Sequence, residues 1–136
     1  MRALKFDLNS GGTALDGTGR RAILRAMVSA VNADGHMDTT ECQSLFAQAD
    51  HLQLSIDDRL FMLDEIREPK SIEVLAAEVQ DAALARRIYK SVLAVVDECR
   101  PESSRYLMRL AGLLNLAEAE TSAIRELSDS SLFRAA

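Results

Sequence analysis

The sequence predicts an all-α domain, a bundle of about seven helices, and three observations carry that reading. Aromatic residues make up only 4% of the 136, while leucine and alanine abound. The core must therefore be aliphatic side chains between helices rather than a sheet rich in β-branched and aromatic residues. Apolar residues recur at helical spacing from Arg20 onward, and the period resets near Gly35, Leu54, Pro69 and Pro101. Two acidic junctions, residues 33–41 and 97–102, each follow a long helical run, which points to a duplicated helical unit.

A chain of this length forms one domain and buries roughly two-thirds of its unfolded surface, so no disulfide framework is needed. Residues 1–19 read as an arm. Leu4, Phe6 and Leu8 alternate before Ser10-Gly11-Gly12 and Gly17-Thr18-Gly19, a flexible-linker composition. The alternation also suits a short added strand or packing on a helix. The domain itself is expected over 20–128, with 129–136 as a frayed tail.

Each helix has a start, a stop or an apolar face that justifies it. The first carries Leu24, Met27, Val28 and Val31 on one stripe, with Arg21 and Arg25 off it, and ends near Asp34-Gly35. Asp38 and Glu41 have the N-cap and capping-box spacing for the second, whose expected inner face is Leu45, Phe46, Ala49 and Leu52. Ser55 with Asp58 repeats that start for the third, which is expected to turn Leu60, Leu63 and Ile66 inward and to stop at Pro69. Ser71 opens a short fourth helix with Val74, Leu75 and Val79. Residues 81–98 carry Leu84, Ile88, Tyr89, Val92, Leu93, Val95 and Val96, a sector too wide for a surface helix, so this run is expected to be the central spine. Pro101 and Glu102 start the sixth, with Leu107, Leu110 and Leu114 inward. The last runs from Leu116 to Leu127 around Ala123 and Ile124.

These pieces repeat. Ala30-Val31-Asn32-Ala33-Asp34, Glu41, then Leu45, Phe46, Leu52 and Leu54 correspond to Ala94-Val95-Val96-Asp97, Glu102, then Tyr106, Leu107, Leu113 and Leu116, with a shorter turn in the second copy. Packing two such hairpins antiparallel buries both apolar faces and brings the acidic turns toward one end.

Charge bounds the partners. A formal net charge of -5 and a pI near 5.0 disfavour a surface that tracks phosphates, so nucleic acid is not expected as a partner. No apolar run approaches the roughly 20 residues of a membrane span, and the N-terminal stretch lacks the apolar core of a signal peptide. A cytoplasmic protein is expected, and Cys42 and Cys99 suit a reduced compartment as small buried hydrophobes.

The chemistry concentrates in the first junction, Ala33-Asp34-Gly35-His36-Met37-Asp38-Thr39-Thr40-Glu41. Against the calcium-loop pattern D-x-[DN]-x-[DN]-G-x5-E, Asn32 takes the third position, Asp34 the fifth, Gly35 the turn, His36 the carbonyl position, Asp38 the ninth and Glu41 the twelfth. The first position is Ala30, so a high-affinity calcium loop is not expected. Gathered at one end, Asp34, Asp38, Glu41, Asp97 and Glu102 would repel one another and favour a hydrated divalent cation, magnesium, calcium or manganese, held through oxygen. The competing reading needs no metal: Asp38 caps, Glu41 completes the capping box, and Asp97 and Glu102 are helix-terminal acids. His36, Cys42 and Cys99 sit beside the same turns but match no zinc-finger spacing. Arg86, Arg87 and Lys90, like Arg105 and Arg109, read as solvated or ion-paired faces. No G-x-S-x-G elbow or paired general base accompanies the serines.

The Ala33-Asp34-Gly35-His36-Met37-Asp38 turn with Glu41, followed by Asp97, Glu102 and Tyr106-Leu107-Met108-Arg109-Leu110-Ala111, resembles the TerB-like domains of bacteria, related to tellurite-resistance protein B. The closer likeness is to an inner-membrane family numbered 533 among domains of unknown function, and it covers about residues 20–127. Met37 stands where that family usually has isoleucine, and the arm carries no membrane segment of the kind typical of it. The resemblance implies a seven-helix, two-repeat bundle whose acids hold a metal, linked to membrane-associated stress responses, and it implies no established activity. Three functions follow as expectations. One is a non-catalytic module that binds a divalent metal weakly and docks a protein partner, with peripheral membrane association. The others are a metal-assisted hydrolase, which needs a cleft and a nearby base, and a purely structural adaptor.

Overall fold

The computed structural model describes residues 17–33, 39–96 and 100–135, with backbone alone for residue 17 and for 128–135. Among the described residues seven helices follow one another: α1 (Gly17–Val31), α2 (Thr39–Asp50), α3 (Ile56–Arg67), α4 (Ile72–Ala77), α5 (Ala82–Val95), α6 (Pro101–Leu113) and α7 (Glu118–Ala135). No strand occurs among the described residues. Local chemistry sets the starts. Ser55 and Asp58 form the expected capping box of α3, Ser71 accepts the Val74 N–H, Asp81 accepts the Ala83 and Leu84 N–H groups, and Pro101 opens α6. The turns after α2 and after α6 each pass through a left-handed residue, Gln53 (φ 54°) and Asn115 (φ 60°).

The core forms where α1 meets α5. On α1, Ile23, Leu24, Ala26, Met27, Val28, Ala30 and Val31 are all buried, as are Ala85, Ile88, Tyr89, Val92 and Val95 on α5. The expected one-sided stripe on α1 is therefore too narrow. That helix is wrapped by α2, α3, α4, α5 and α6, whereas α5 packs against α1, α2, α6 and α7. The spine is a pair of helices rather than α5 alone. Tyr106 ties α6 to α1: its hydroxyl donates to the Ala26 carbonyl oxygen at 3.4 Å, and burial pushes its pKa up to about 12, so it stays a protonated donor.

Most expected inner faces hold, including Leu45 and Ala49 on α2 and Leu107, Leu110 and Leu114 on α6. Phe46 does not, being 41% exposed, and Val74 on α4 also faces outward while Ile72, Leu75 and Ala76 are buried. In α7, Ile124 is half-buried, Ala123 is exposed, and the helix runs on to Ala135.

The larger correction is to α3. Leu60 and Leu63 are exposed, and Ile66 is half-buried; the face turned to α1 instead carries Asp58, Phe61, Met62 and Glu65. The cause is a row of arginines on α1. Asp58 accepts from Arg20 Nε at 3.1 Å and from Arg21 Nε at 3.3 Å, while Glu65 lies 3.5 Å from Arg25 Nε. The guanidiniums of Arg21 and Arg25 both sit 5.0 Å from the centre of the Phe61 ring. Arg25 is shared: its Nη1 donates to Glu78 Oε1 at 2.7 Å, which leaves its Nε and Glu65 Oε1 facing each other without a hydrogen bond. Carboxylates placed so deep need these partners, because an unpaired buried charge costs several kcal/mol. The arginines thus decide which side of α3 turns inward.

Three outcomes are expected. Val92→Asp puts a carboxylate at a core position wholly removed from water and should abolish the cooperative thermal transition, whereas Arg86→Ala, which breaks one exposed pair with Glu120, should cost under about 1 kcal/mol. In urea unfolding, Met62→Ala should cost about 3 kcal/mol and Leu60→Ala under about 1; the reverse order would mean that α3 is rotated from the orientation described. Burial alone would raise the Asp58 pKa, but hydrogen bonds from Arg20, Arg21 and Ser55 outweigh it and hold it below the ordinary value of 3.8. A lowered carboxylate pKa stabilises the fold above that ordinary value, and this contribution disappears as pH falls below 3.8 and through the folded-state pKa. Asp58→Asn should therefore destabilise at neutral pH by about 3 kcal/mol and flatten the acid limb of a stability-against-pH curve.

Candidate functional site

Two of the five expected site residues can be placed. Asp34, Asp38 and Asp97 lie outside the described residues, as do His36 and Cys99. Glu41 is the third residue of α2 and is only 7% exposed. Its Oε2 lies 3.3 Å from Nη1 of Arg100, the residue that precedes α6. Glu102, second in α6, is half-buried at that helix's start, where the N-terminal partial charge favours a carboxylate. α2 follows the first acidic junction and α6 follows the second. The Glu41–Arg100 pair therefore links the helix starts beyond both junctions through one ion pair.

This pairing gives Glu41 a counter-charge from within the protein. A buried carboxylate is held most strongly by a guanidinium that can also hydrogen-bond to it, and Arg100 makes no side-chain cap bond at its own helix start. Residue 100 falls within the acidic junction 97–102, and apolar periodicity and capping give it no role. One signal was present: Arg100 stands immediately before Pro101 at the start of α6, as Asp38 stands immediately before Thr39 at the start of α2, a cation before one helix and an acid before the other.

Among the described residues, no group of three or more His, Cys, Asp or Glu side chains is arranged to hold a metal ion. The acids the structure does bury elsewhere, Asp58 and Glu65, face arginines. Cys42 is half-buried on α2. A cavity of about 350 Å³ lies beside Phe61, Asp64, Glu65, Arg67, Glu68 and Lys70, and none of the expected site residues lines it. No helix among the described residues is long and apolar enough to cross a membrane.

Neither a curated protein nor a solved structure matches this chain. A family profile does, over residues 9–127, a span that contains α1 to α6, the Glu41–Arg100 contact and the first half of α7. With seven helices in place and most of its length matched, the chain belongs to the family described as Protein of unknown function (DUF533).

Proposed function

We propose that this protein is a non-catalytic, TerB-like helical module whose junction end takes a divalent cation weakly and whose outer surface docks a protein partner. The single observation that carries the reading is the Glu41–Arg100 ion pair, which links the helix starts that follow the two acidic junctions. Asp34, Asp38 and Asp97 belong to those same junctions in sequence, with Glu102 on the first turn of α6. Because Arg100 already neutralises Glu41, a cation at this end competes with a guanidinium and is held largely through water by the remaining acids, which keeps the affinity low.

The packing pattern supports a two-unit architecture. Exchanging α1, α2 and α3 for α5, α6 and α7 maps the main contacts onto one another: α1 with α2 onto α5 with α6, α1 with α6 onto α5 with α2, and α1 with α3 onto α5 with α7. In this register Leu45, Ala49, Leu52 and Leu54 match Leu107, Ala111, Leu114 and Leu116, which moves the partners of Leu45 and Leu52 one residue on from the Tyr106 and Leu113 expected in the sequence, with left-handed Gln53 and Asn115 at equivalent turns. α4 stands outside this pattern, bridging α1 and α6. A docking role rather than turnover accords with large apolar side chains left exposed on α4 and α6, at Val74, Met108 and Leu113.

The test is thermal melting of metal-stripped protein with magnesium, calcium, manganese or zinc. The wild type should show a small rise in Tm that grows with log concentration above the dissociation constant. Asp34→Asn should lose it. Arg100→Gln should melt lower without metal, because buried Glu41 loses this counter-charge, yet gain more from metal than the wild type does. Absence of any metal-dependent rise in both the wild type and Arg100→Gln rejects the cation reading.

A further inference from the structure

Ile56, Leu60 and Leu63 of α3 are 77%, 56% and 47% exposed. At spacings of four and three residues they form one line, about 10 Å long, on the side opposite Asp58 and Glu65. The helix is thus amphipathic in the inverted sense, with charges turned to the bundle and its aliphatic stripe turned to solvent. We propose that residues 4–8 of this same chain, through Leu4, Phe6 and Leu8, cover that stripe.

Size and charge select this occupant. Three side chains are few beside the roughly 20–30 residues per side of a stable interface, so a separate protein gains little from the stripe. A tethered segment faces no such requirement, since the linker holds it at an effective concentration in the millimolar range. A second copy is disfavoured by charge. Asp57 and Asp64 lie along one edge of the stripe, Asp64 paired with Arg67 at 3.6 Å, and Arg59 lies along the other; antiparallel pairing of two such helices about a two-fold axis brings like edges together, Asp57 of each copy beside Asp64 of the other and Arg59 beside Arg59. The arm carries Arg2, Lys5 and Asp7 around its apolar residues, a net positive charge.

Geometry makes the contact short. Arg20 and Arg21 both bind Asp58, so the first turns of α1 lie against the first turn of α3, and the arm joins α1 at Gly17. Residues 9–16 can span up to about 28 Å, more than the roughly 10 Å diameter of a helix. In the extended form that their alternation favours, Leu4, Phe6 and Leu8 fall on one side over about 13 Å, close to the length of the stripe.

The experiment is methyl NMR on the full chain, comparing wild type with a Leu4→Ser, Phe6→Ser double variant, alongside sedimentation. The proposal expects nuclear Overhauser contacts from the Phe6 ring to the Leu60 or Leu63 methyls in a monomer. It also expects shifts of the Ile56, Leu60 and Leu63 methyls in the double variant, while those of Leu24 and Val92 stay in place. If the stripe methyls are indifferent to the double variant, the arm does not cover them and the proposal is wrong. It is equally overturned if they shift with protein concentration as a dimer forms, since a second copy is then the occupant.

Discussion

The contact between α1 and α5 organises the rest of this molecule. Two helices whose apolar residues run most of the way round can satisfy that surface only by burying it against each other and then being enclosed by further helices. Ile23, Leu24, Met27 and Val28 on one side, with Ile88, Tyr89 and Val92 on the other, are almost wholly removed from water. Every other helix packs against at least one member of this pair, and their positions follow from which side of the pair remains open. A chain with so few aromatic residues has no other source of burial large enough to offset the ordering of the backbone.

Polar contacts then fix orientation. The arginine row on α1 selects the acidic side of α3, and α7 is secured to α5 by similar means. There Arg86 pairs with Glu120, and Arg125 donates from Nε to the hydroxyl of buried Tyr89 at 3.1 Å. Arg109 likewise pairs with Glu73 and ties α6 to α4. Such pairs add little net stability when exposed, and buried ones repay their desolvation only in good geometry. Their effect here is specificity: Asp58 or Glu65 without its arginine would be far more costly than a leucine at the same place. An aliphatic α3 face could slide or rotate on α1, whereas carboxylates matched to arginines hold one register.

The junction end shows the same principle at the site of interest. Glu41 sits in the first turn of α2, where the helix end favours an acid, and the fold brings it against Arg100, the residue that precedes α6. The same acid thus suits the start of α2 and links it to the start of α6. The membership of the DUF533 family spans both of these features. A buried acid with an internal counter-charge is also a sensitive element, since whatever competes for either partner changes the link between the starts of α2 and α6.

By itself, the sequence determined the number of helices, the starts of α3 to α6, and the inner faces of α5 and α6, because capping residues, prolines and apolar periodicity act within one or two turns of chain. Tertiary structure alone decided the burial of α1 on nearly all sides, which depends on how many helices surround it. It alone decided the inversion of α3, because Ser55-Ile56-Asp57-Asp58 reads as an ordinary capped start until arginines from a helix some forty residues earlier are placed beside it. The Glu41–Arg100 pair belongs to the same class. Apolar periodicity ranks residues by their affinity for water, whereas the side that a charged residue faces depends on where the opposite charge lies, and that is a property of the folded chain.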